Sequence, residues 1–164
     1  MMQSERTDMT TPADLDAIDH RILRALSADA RIAITDLAAQ VGLSKTPVAA
    51  RVKRLEQSGV IRGYTAQLSA RRLGRDHVAF VEVRLTDTRE RALRAFNDAV
   101  RAVPEVEECH MVAGGFDYLM KVRTQDIAEY RRVLGETISA LPHVAATSTY
   151  VSMESVKDRG VGIV

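Results

Sequence analysis

The fold is decided by the stretch LSKTPVAARVKRLE at residues 43–56. Within it Val48, Val52 and Leu55 recur at helical spacing, which predicts a helix with one narrow apolar face. Ser44 stands just before this pattern, and serine is a favoured N-cap residue because its hydroxyl can accept from a free backbone N–H. We therefore expect a helix that begins after Ser44, buries three side chains and leaves its other faces exposed.

Two further helices precede this one. A short helix is predicted over about Ile34–Val41, and Gly42 follows it at a position where a left-handed backbone costs little. A longer helix is predicted from about Asp14, because apolar residues recur three or four apart at Leu15, Ile18, Ile22 and Leu26. The short helix and the helix that begins after Ser44 are joined by a very short turn, and this arrangement predicts a helix-turn-helix.

The charge is unevenly distributed, although the formal net charge of the 164 residues is only +1. Residues 40–75 hold eight basic side chains and one acidic side chain, net +7, whereas residues 1–39 and 76–164 are each net −3. The basic block coincides with the third helix and the segment after it. This coincidence favours DNA binding over a small helical bundle that happens to be basic.

The residues expected to contact DNA lie off the apolar stripe of the third helix or just beyond the helix. Small side chains near its N-terminus permit close approach to base edges, and the cations can reach phosphates or guanine acceptors. The predicted DNA-binding residues are Ser44, Lys45, Thr46, Pro47, Ala49, Ala50, Arg51, Lys53, Arg54 and Arg62. The strand-prone run Val60–Leu68, broken at Gly63, is expected to form a β-hairpin wing that carries Arg62.

The C-terminal half contains an internal repeat. VPEV at residues 103–106 matches LPHV at residues 141–144, and in each case a predicted helix ends before the proline. The two helices cover about Arg89–Ala102 and Ile127–Ala140. Their predicted inward stripes are Leu93, Phe96, Val100 and Val103 in the first unit, and Ile127, Tyr130, Leu134, Ile138 and Leu141 in the second.

Strands precede and follow each of these helices, at about Val78–Leu85 and Tyr118–Arg123 before them. The order βαββαβ predicts a ferredoxin-like α+β sandwich with an antiparallel sheet and both helices on one face. The first strand carries apolar residues on both faces, and the last strand carries Tyr150 and Val151. Because an uncovered apolar sheet face usually has a partner, we expect a homodimer through this sheet.

The segment MVAGGFDY at residues 111–118 connects the two middle strands. Paired glycines permit a tight turn and bring backbone N–H groups close to a ligand, and Asp117 could pair with an ammonium group. An ordinary hairpin turn with a surface aspartate has the same composition, so the residues alone leave both interpretations open.

Together these motifs resemble the Lrp/AsnC family of leucine-responsive, "feast/famine" bacterial regulators, and the Lrp branch in particular. The resemblance runs from about Leu15 to Lys157 and includes LSKTPVAARVKRLE, GVIRGY at residues 59–64, GFDYL at residues 115–119 and TYVSME at residues 149–154. It implies a cytoplasmic, nucleoid-associated transcriptional regulator of amino-acid metabolism. Its partners would be double-stranded DNA, further copies of itself as dimers and octamers, and a small amino acid.

The resemblance also implies where the amino-acid effector binds, between dimers and near the glycine turn. The residues implied are Met111, Gly114, Gly115, Phe116, Asp117, Tyr118, Thr149, Tyr150, Val151 and Ser152. Gly115 stands where the Lrp branch commonly has aspartate, and Ser152 stands where an apolar residue is usual. The effector could therefore be leucine, proline or another amino acid, and a local activator of one catabolic operon, for example for proline degradation, is an alternative.

The expected domains are a flexible tail over residues 1–13, a DNA-binding domain over 14–63, a hairpin or linker over 64–76, an effector-binding and oligomerisation domain over 77–157 and a C-terminal tail over 158–164. No membrane segment, cofactor, metal site or catalytic residue is expected. The four histidines lack metal spacing, and the single cysteine excludes an intramolecular disulfide.

Two other classes of function share some of these features. An RNA-binding ferredoxin-like module would need basic residues and stacking aromatics on its strands, but aromatics are 4% of the chain and residues 76–164 are net −3. An architectural protein that wraps DNA with little effector response remains compatible with these motifs.

Overall fold

The computed structural model describes residues 14–157, and these residues fall into two compact units with the boundary between Ala66 and Gln67. Each unit has its own cluster of buried apolar side chains. The predicted tails, residues 1–13 and 158–164, lie outside the described residues.

The first unit consists of three helices, α1 (Ala17–Ala28), α2 (Ile34–Val41) and α3 (Lys45–Gln57). Each helix turns its apolar stripe inward, as the spacing predicts. The buried core residues are Ile22, Leu37, Ala38, Val41, Val48 and Leu55, and Val52 packs against them half-buried. The helix-turn-helix prediction is confirmed.

The turn between α2 and α3 has the predicted geometry. Gly42 adopts a left-handed backbone with φ of 74°, and the N–H of Leu43 donates to the carbonyl of Ala38 at 3.0 Å. Ser44 occupies the N-cap position of α3 with an extended backbone, but its side chain makes no capping hydrogen bond. Ser44 is therefore the N-cap residue, as predicted, but its hydroxyl does not accept from a backbone N–H of α3.

A β-hairpin is not formed over the predicted range of residues 60–68, in which residues 60–67 lie in no strand and Leu68 makes only an isolated bridge. Val60 and Ile61 are instead packed against the core of the three helices. Because Val60 and Ile61 are taken up by this core, the rest of the segment is too short to form two paired strands. Tyr64 donates from its hydroxyl to Glu56 Oε1 at 2.8 Å and so returns the segment to the end of α3.

The second unit has the predicted βαββαβ order, in which β1 spans His77–Leu85 and α4 spans Glu90–Val100. The remaining elements are β2 (Val106–Met111), β3 (Tyr118–Thr124), α5 (Ile127–Val133) and β4 (Val144–Val151). The strands form one antiparallel sheet in the order β2-β3-β1-β4. The ferredoxin-like prediction is confirmed.

The core of this unit lies between the sheet and the helices. Ala79, Val81 and Val83 from β1 are fully buried, and the rings of Phe96 and Tyr118 meet with centroids 4.4 Å apart. Of the predicted helical stripes, Phe96, Val100, Val103, Tyr130, Ile138 and Leu141 are buried, while Leu93 and Leu134 are partly buried.

The second predicted helix departs from expectation. It continues beyond α5 as a wider, π-helical turn over Leu134–Ile138, in which the N–H of Ser139 donates to the carbonyl of Leu134, five residues back. Ile127, predicted to face inward, is 58% exposed, and Val133 is buried instead. The side chain of Ile127, the first residue of α5, therefore does not reach the core.

The opposite face of the sheet carries both aromatic and charged side chains. Phe80 and Tyr150 are paired in the register of β1 and β4, and they are 39% and 56% exposed. Glu82, Arg84 and Lys121 lie on the same face, which follows from the alternation of side chains along a strand. The face is thus less apolar than the sequence predicts.

Neither a metal cluster nor a membrane-spanning helix is found within residues 14–157. Cys109 packs against the sandwich core, and burial raises the pKa of its thiol to about 11. His110, the next residue, is exposed beside Glu108. The two side chains point to opposite faces of β2, because successive residues of a strand alternate in direction.

Candidate DNA-binding surface and ligand-binding turn

The structure places most of the predicted DNA-binding residues on the exposed surface of α3. Nine of the ten are exposed: Ser44, Lys45, Thr46, Pro47, Ala49, Ala50, Lys53, Arg54 and Arg62. Because Val48 and Leu55 define the buried side, the helical repeat puts Thr46, Ala50 and Lys53 on the opposite side. This outward face has small residues in its first turns and a cation further along.

Arg51 and Arg54 have partners that the sequence did not reveal. Arg51 donates from Nη1 to Asp16 Oδ2 at 2.6 Å and to Asp19 Oδ1 at 2.9 Å. Arg54 donates from Nη2 to Asp19 Oδ2 at 2.5 Å. The Asp19 side chain is 1% exposed, so these contacts tie α3, the candidate recognition helix of the helix-turn-helix, to a buried carboxylate on α1.

Asp16 and Asp19 also form the N-terminus of α1. Asp16 is the N-cap, and its Oδ1 accepts from the N–H groups of Ile18 and Asp19, while Asp19 Oδ2 accepts from the N–H of Asp16. This reciprocal arrangement is a capping box. The two acids three residues apart predict such a cap, but their ion pairs join residues 32 and 35 positions away and have no local signal.

The ion pairs keep both aspartates ionised. Burial acts to raise the pKa of Asp19, but hydrogen bonds from Arg51, Arg54 and the Asp16 N–H outweigh it and lower that pKa below its ordinary value. The Asp19 N–H and the Arg51 guanidinium lower the pKa of Asp16, and Asp16 and Asp19 in turn raise the pKa of Arg51. Asp16, Asp19 and Arg51 are therefore charged at neutral pH.

The glycine turn of the second unit spans residues 112–117 and is closed by a hydrogen bond from the N–H of Val112 to the carbonyl of Asp117, at 2.9 Å. Gly114 and Gly115 are exposed, and a Cβ atom at either position would meet nothing within 4 Å. Neither glycine has a positive φ. The turn is therefore open to solvent and does not itself require glycine for its backbone conformation.

Asp117 ties this turn to the end of β1. Its Oδ2 accepts from the N–H of Leu85 at 2.8 Å, and its own N–H donates to the carbonyl of Val83 at 2.9 Å. Asp117 is half-buried. Part of its role is thus structural, and the carboxylate charge lies at the base of an exposed turn.

Phe116, on the same turn, borders a depression of about 200 Å³ on the open face of the sheet. The other residues that line it are Glu82, Arg84, Ala146 and Ser148. Of the remaining predicted effector residues, Met111 is exposed, whereas Tyr118 is buried and donates to Asn97 Oδ1 at 2.9 Å.

The predicted effector residues on the last strand are not gathered with the turn within one protomer. Tyr150 pairs with Phe80, whereas Asp117 bonds to Leu85, five residues further along β1 and roughly 16 Å away at the rise of a strand. Thr149 faces the core, where its Oγ1 lies 2.5 Å from the hydroxyl of Tyr130. Val151 is exposed, and Ser152 is half-buried with its N–H bonded to Val78.

Comparison with known families matches both units. Residues 15–62 match a model described as winged helix-turn-helix DNA-binding, and residues 78–161 match the Lrp/AsnC ligand binding domain. Together these matches cover most of the chain.

Three curated relatives are similar over most of their length. A proline dehydrogenase transcriptional activator of Rhodobacter capsulatus is 64% identical over 88% of this chain and 94% of its own. A protein of the same name from Rhizobium radiobacter is 57% identical over 98% and 100%. The leucine-responsive regulatory protein of Escherichia coli K12 is 48% identical over 88% of each chain.

Two solved structures share the fold. An AsnC family transcriptional regulator from Agrobacterium tumefaciens superposes with a TM-score of 0.83 and 34% identity, over 88% of this chain and 94% of that one. A transcriptional regulator from Neisseria meningitidis, solved as a complex with L-Met, gives a TM-score of 0.82 and 28% identity, over 88% and 93%. With its exposed recognition helix and its ferredoxin-like ligand-binding unit, the chain belongs to the Lrp/AsnC family of DNA-binding transcriptional regulators.

Proposed function

We propose that this regulator binds its operator through the outward face of α3 and that a free amino acid, with proline as the first candidate, changes that binding. The observation that carries the proposal is the outward face itself. Thr46, Ala50 and Lys53 lie opposite the buried stripe of a helix that follows a tight Gly42 turn. Small side chains there admit base edges, while the cations supply attraction to phosphates.

The DNA contacts proposed beyond this face come from residues at its margins. Lys45 and Ser44 lie at the N-terminus of α3, where the helix dipole favours a phosphate, and Arg62 follows the helix. Two such helices in a dimer would enter successive major grooves on one face of the duplex. Each phosphate contact makes the affinity more dependent on salt, because counterions are released on binding.

The proposal that the ligand is an amino acid rests on the ligand-binding family of the second unit and on its relative that was solved with L-Met. The Asp117 carboxylate suits the ammonium group of such a ligand. The open backbone around Gly114 and Gly115 leaves N–H groups accessible to its carboxylate. Since the turn and the β4 residues are apart in one protomer, a complete pocket would need a second protomer.

A second copy is proposed to cover the open face of the sheet. Phe80 and Tyr150 are exposed aromatics paired across β1 and β4 on that face, and charges of both signs stand further along β1 at Glu82 and Arg84. A twofold pairing of this surface with itself could bury the aromatics and match acids with bases. Larger assemblies, including an octamer, would then form from these dimers.

Proline is proposed first because two similar relatives, at 64% and 57% identity, are named proline dehydrogenase transcriptional activators. The expected target is accordingly an operon for proline degradation, and the expected action is activation. Leucine is the second candidate, from the 48% identical leucine-responsive relative.

The DNA-binding part is tested by selecting sequences from duplexes with a random segment of about three helical turns, about 30 base pairs. The full chain is expected to enrich one motif with two half-sites about one helical turn, or a multiple of it, apart. Footprints on that operator should be short. Long footprints with phased hypersensitive positions and no enriched motif would support an architectural, DNA-wrapping protein instead.

The ligand part is tested by thermal unfolding of the chain with each of the twenty amino acids. A ligand that binds the folded state raises the unfolding temperature, and we expect proline to do so. Asp117→Asn is the informative variant, since the amide oxygen can still accept from Leu85 while the charge for an ammonium is gone. Asp98→Asn, on an exposed helix position, is its control. An equal shift in wild type and Asp117→Asn would place the ligand elsewhere.

The dimer is tested by sedimentation of Tyr150→Glu. We expect this variant to sediment as a smaller species than the wild type, because the new charge lies beside Phe80 on the sheet face that the second copy would cover. Ile127→Glu changes a side chain of similar exposure on the helical side of the unit and should leave the assembly unchanged. Loss of assembly in Ile127→Glu alone would move the interface to the helices.

A further inference from the structure

The carboxylate of Asp19 is buried, charged and bonded to two arginines of the recognition helix. Buried carboxylates are rare, because the free energy of removing their charge from water must be offset by hydrogen bonds or ion pairs. Here each of those hydrogen bonds comes from a residue at the start of α1 or on α3. Asp19 accepts from Arg51, from Arg54 and from the N–H of Asp16. It therefore joins the start of α1 to the middle and last turn of α3.

We propose that Asp19 is a positioning residue for sequence recognition, which holds α3 at a fixed angle through Arg51 and Arg54. This inference rests on the proposed binding of DNA by α3. It reassigns both arginines from the predicted phosphate contacts to the support of the helix. The residues left to meet DNA are then the outward ones, among which Lys53 is the cation.

Arg51 and Arg54 differ from the exposed Lys53 in burial and in their contacts with acids. Arg51 lies next to the buried stripe, and its side chain is only 27% exposed, with Nη1 shared between Asp16 and Asp19. The Arg54 side chain is 55% exposed but gives Nη2 to Asp19 at 2.5 Å. Two arginines and two aspartates form a cluster without net charge, so its attraction for phosphates is small compared with that of Lys53.

A fixed angle matters more for reading bases than for general attraction. Hydrogen bonds to base edges need side chains in register with the groove, whereas phosphate attraction tolerates small rotations of the helix. Loss of the Asp19 contacts should accordingly weaken operator binding more than binding to random DNA. A lost phosphate contact would weaken both to the same extent.

The test compares the Kd of the full chain for the selected operator and for a random duplex of equal length. For Asp19→Asn we expect the operator Kd to rise at least about tenfold and the random-DNA Kd to change less than about twofold, since base contacts carry the difference. Asp36→Asn, an exposed acid in the first turn of α2, is the matched control and should leave both values unchanged. Far-ultraviolet circular dichroism confirms that each variant is folded at the assay temperature.

The salt dependence distinguishes support from direct contact. Arg54→Gln should raise the operator Kd while the slope of log Kd against log salt stays as in the wild type. Lys53→Gln should lower that slope by about one per protomer, as expected for a phosphate contact. A slope lowered by about one in Arg54→Gln would overturn the reassignment of Arg54.

The double variant Asp19→Asn/Arg54→Gln tests the coupling even where a single variant is less stable. If the two residues act through one contact, the operator Kd of the double variant should be no more than about twofold higher than that of the single variant with the higher Kd. Multiplied effects would mean that they act independently, and the proposal would fail. If the wild type itself does not distinguish operator from random DNA, the proposed function fails first, and the two failures are thereby distinguishable.

Discussion

The two units of this chain stabilise their functional surfaces in different ways. The helical unit buries six core residues and holds its recognition helix with the ion pairs of Asp16 and Asp19. The sandwich buries thirteen core residues, and its glycine turn at residues 112–117 is fixed by hydrogen bonds from backbone N–H groups. The helix α3 is thus held by ion pairs in addition to its apolar core, whereas the turn is held by the sheet beneath it.

The largest effect expected from a single change is Phe96→Ala in the sandwich core. Phe96 is fully buried against Tyr118, and truncation of a buried phenylalanine costs about 3–5 kcal/mol of unfolding free energy. Urea denaturation measures this loss. Ile127→Ala, at an exposed position, should change the free energy by less than about 0.5 kcal/mol. Equal losses would show that the assigned core is wrong.

A somewhat smaller change is expected for Leu37→Ala in the helical unit. Leu37 is 1% exposed, and loss of a buried leucine costs about 2–4 kcal/mol. Because this core is small, we expect DNA binding to be lost while the sandwich keeps its ligand-induced rise in unfolding temperature. If both functions disappear together, the two units do not fold independently and the comparison breaks down.

Acid should act on the helical unit through Asp19. The folded-state pKa of Asp19 is lowered, so its contribution is fully present above its unfolded value of 3.8 and is lost as the pH falls through the folded pKa. The wild-type unfolding temperature should therefore drop below about pH 4, and Asp19→Asn should show a flatter acid limb. Thermal unfolding between pH 2 and 6 measures both, with Asp36→Asn as the control. An acid limb of wild-type steepness in Asp19→Asn would contradict the assigned ion pairs.

The smallest expected effect concerns two glycines in different turns. Gly42 has φ of 74°, so Gly42→Ala should cost about 1 kcal/mol of unfolding free energy. Gly114 has neither a positive φ nor atoms near its missing Cβ, so Gly114→Ala should be neutral or slightly stabilising. Urea denaturation of the two variants compares them directly, and an equal cost would refute the distinction.

The sequence predicted the helices, the tight turn and the order of the strands, because these depend on local spacing such as Val48, Val52 and Leu55. It did not predict the ion pairs of Asp19, since Arg51 and Arg54 lie 32 and 35 residues away and any exposed acid could have been their partner. The β-hairpin failed for a related reason. Val60 and Ile61 have high strand propensity, but the helical core offers them greater burial than an isolated hairpin does.

The candidate site residues also differ in whether local spacing or contacts between distant segments determine their positions. The exposed face of α3 follows from one helical repeat, and so it could be predicted. The predicted effector residues come from a turn and from a distant strand, and the distance between Asp117 and Tyr150 depends on the register of β1 with β4. That register is set by contacts across the whole sheet and not by either segment alone.

In the proposed function the sandwich senses an amino acid and the helical unit responds on DNA. It is tested most directly by measuring the operator Kd with and without saturating proline, in the wild type and in Asp117→Asn. We predict a change of at least about fivefold in the wild type, within the usual range of coupling between sites. Asp117→Asn should bind the operator like the wild type without proline and show no change with it. An operator Kd that is indifferent to proline and to the other nineteen amino acids, or that changes equally in both proteins, would contradict the account.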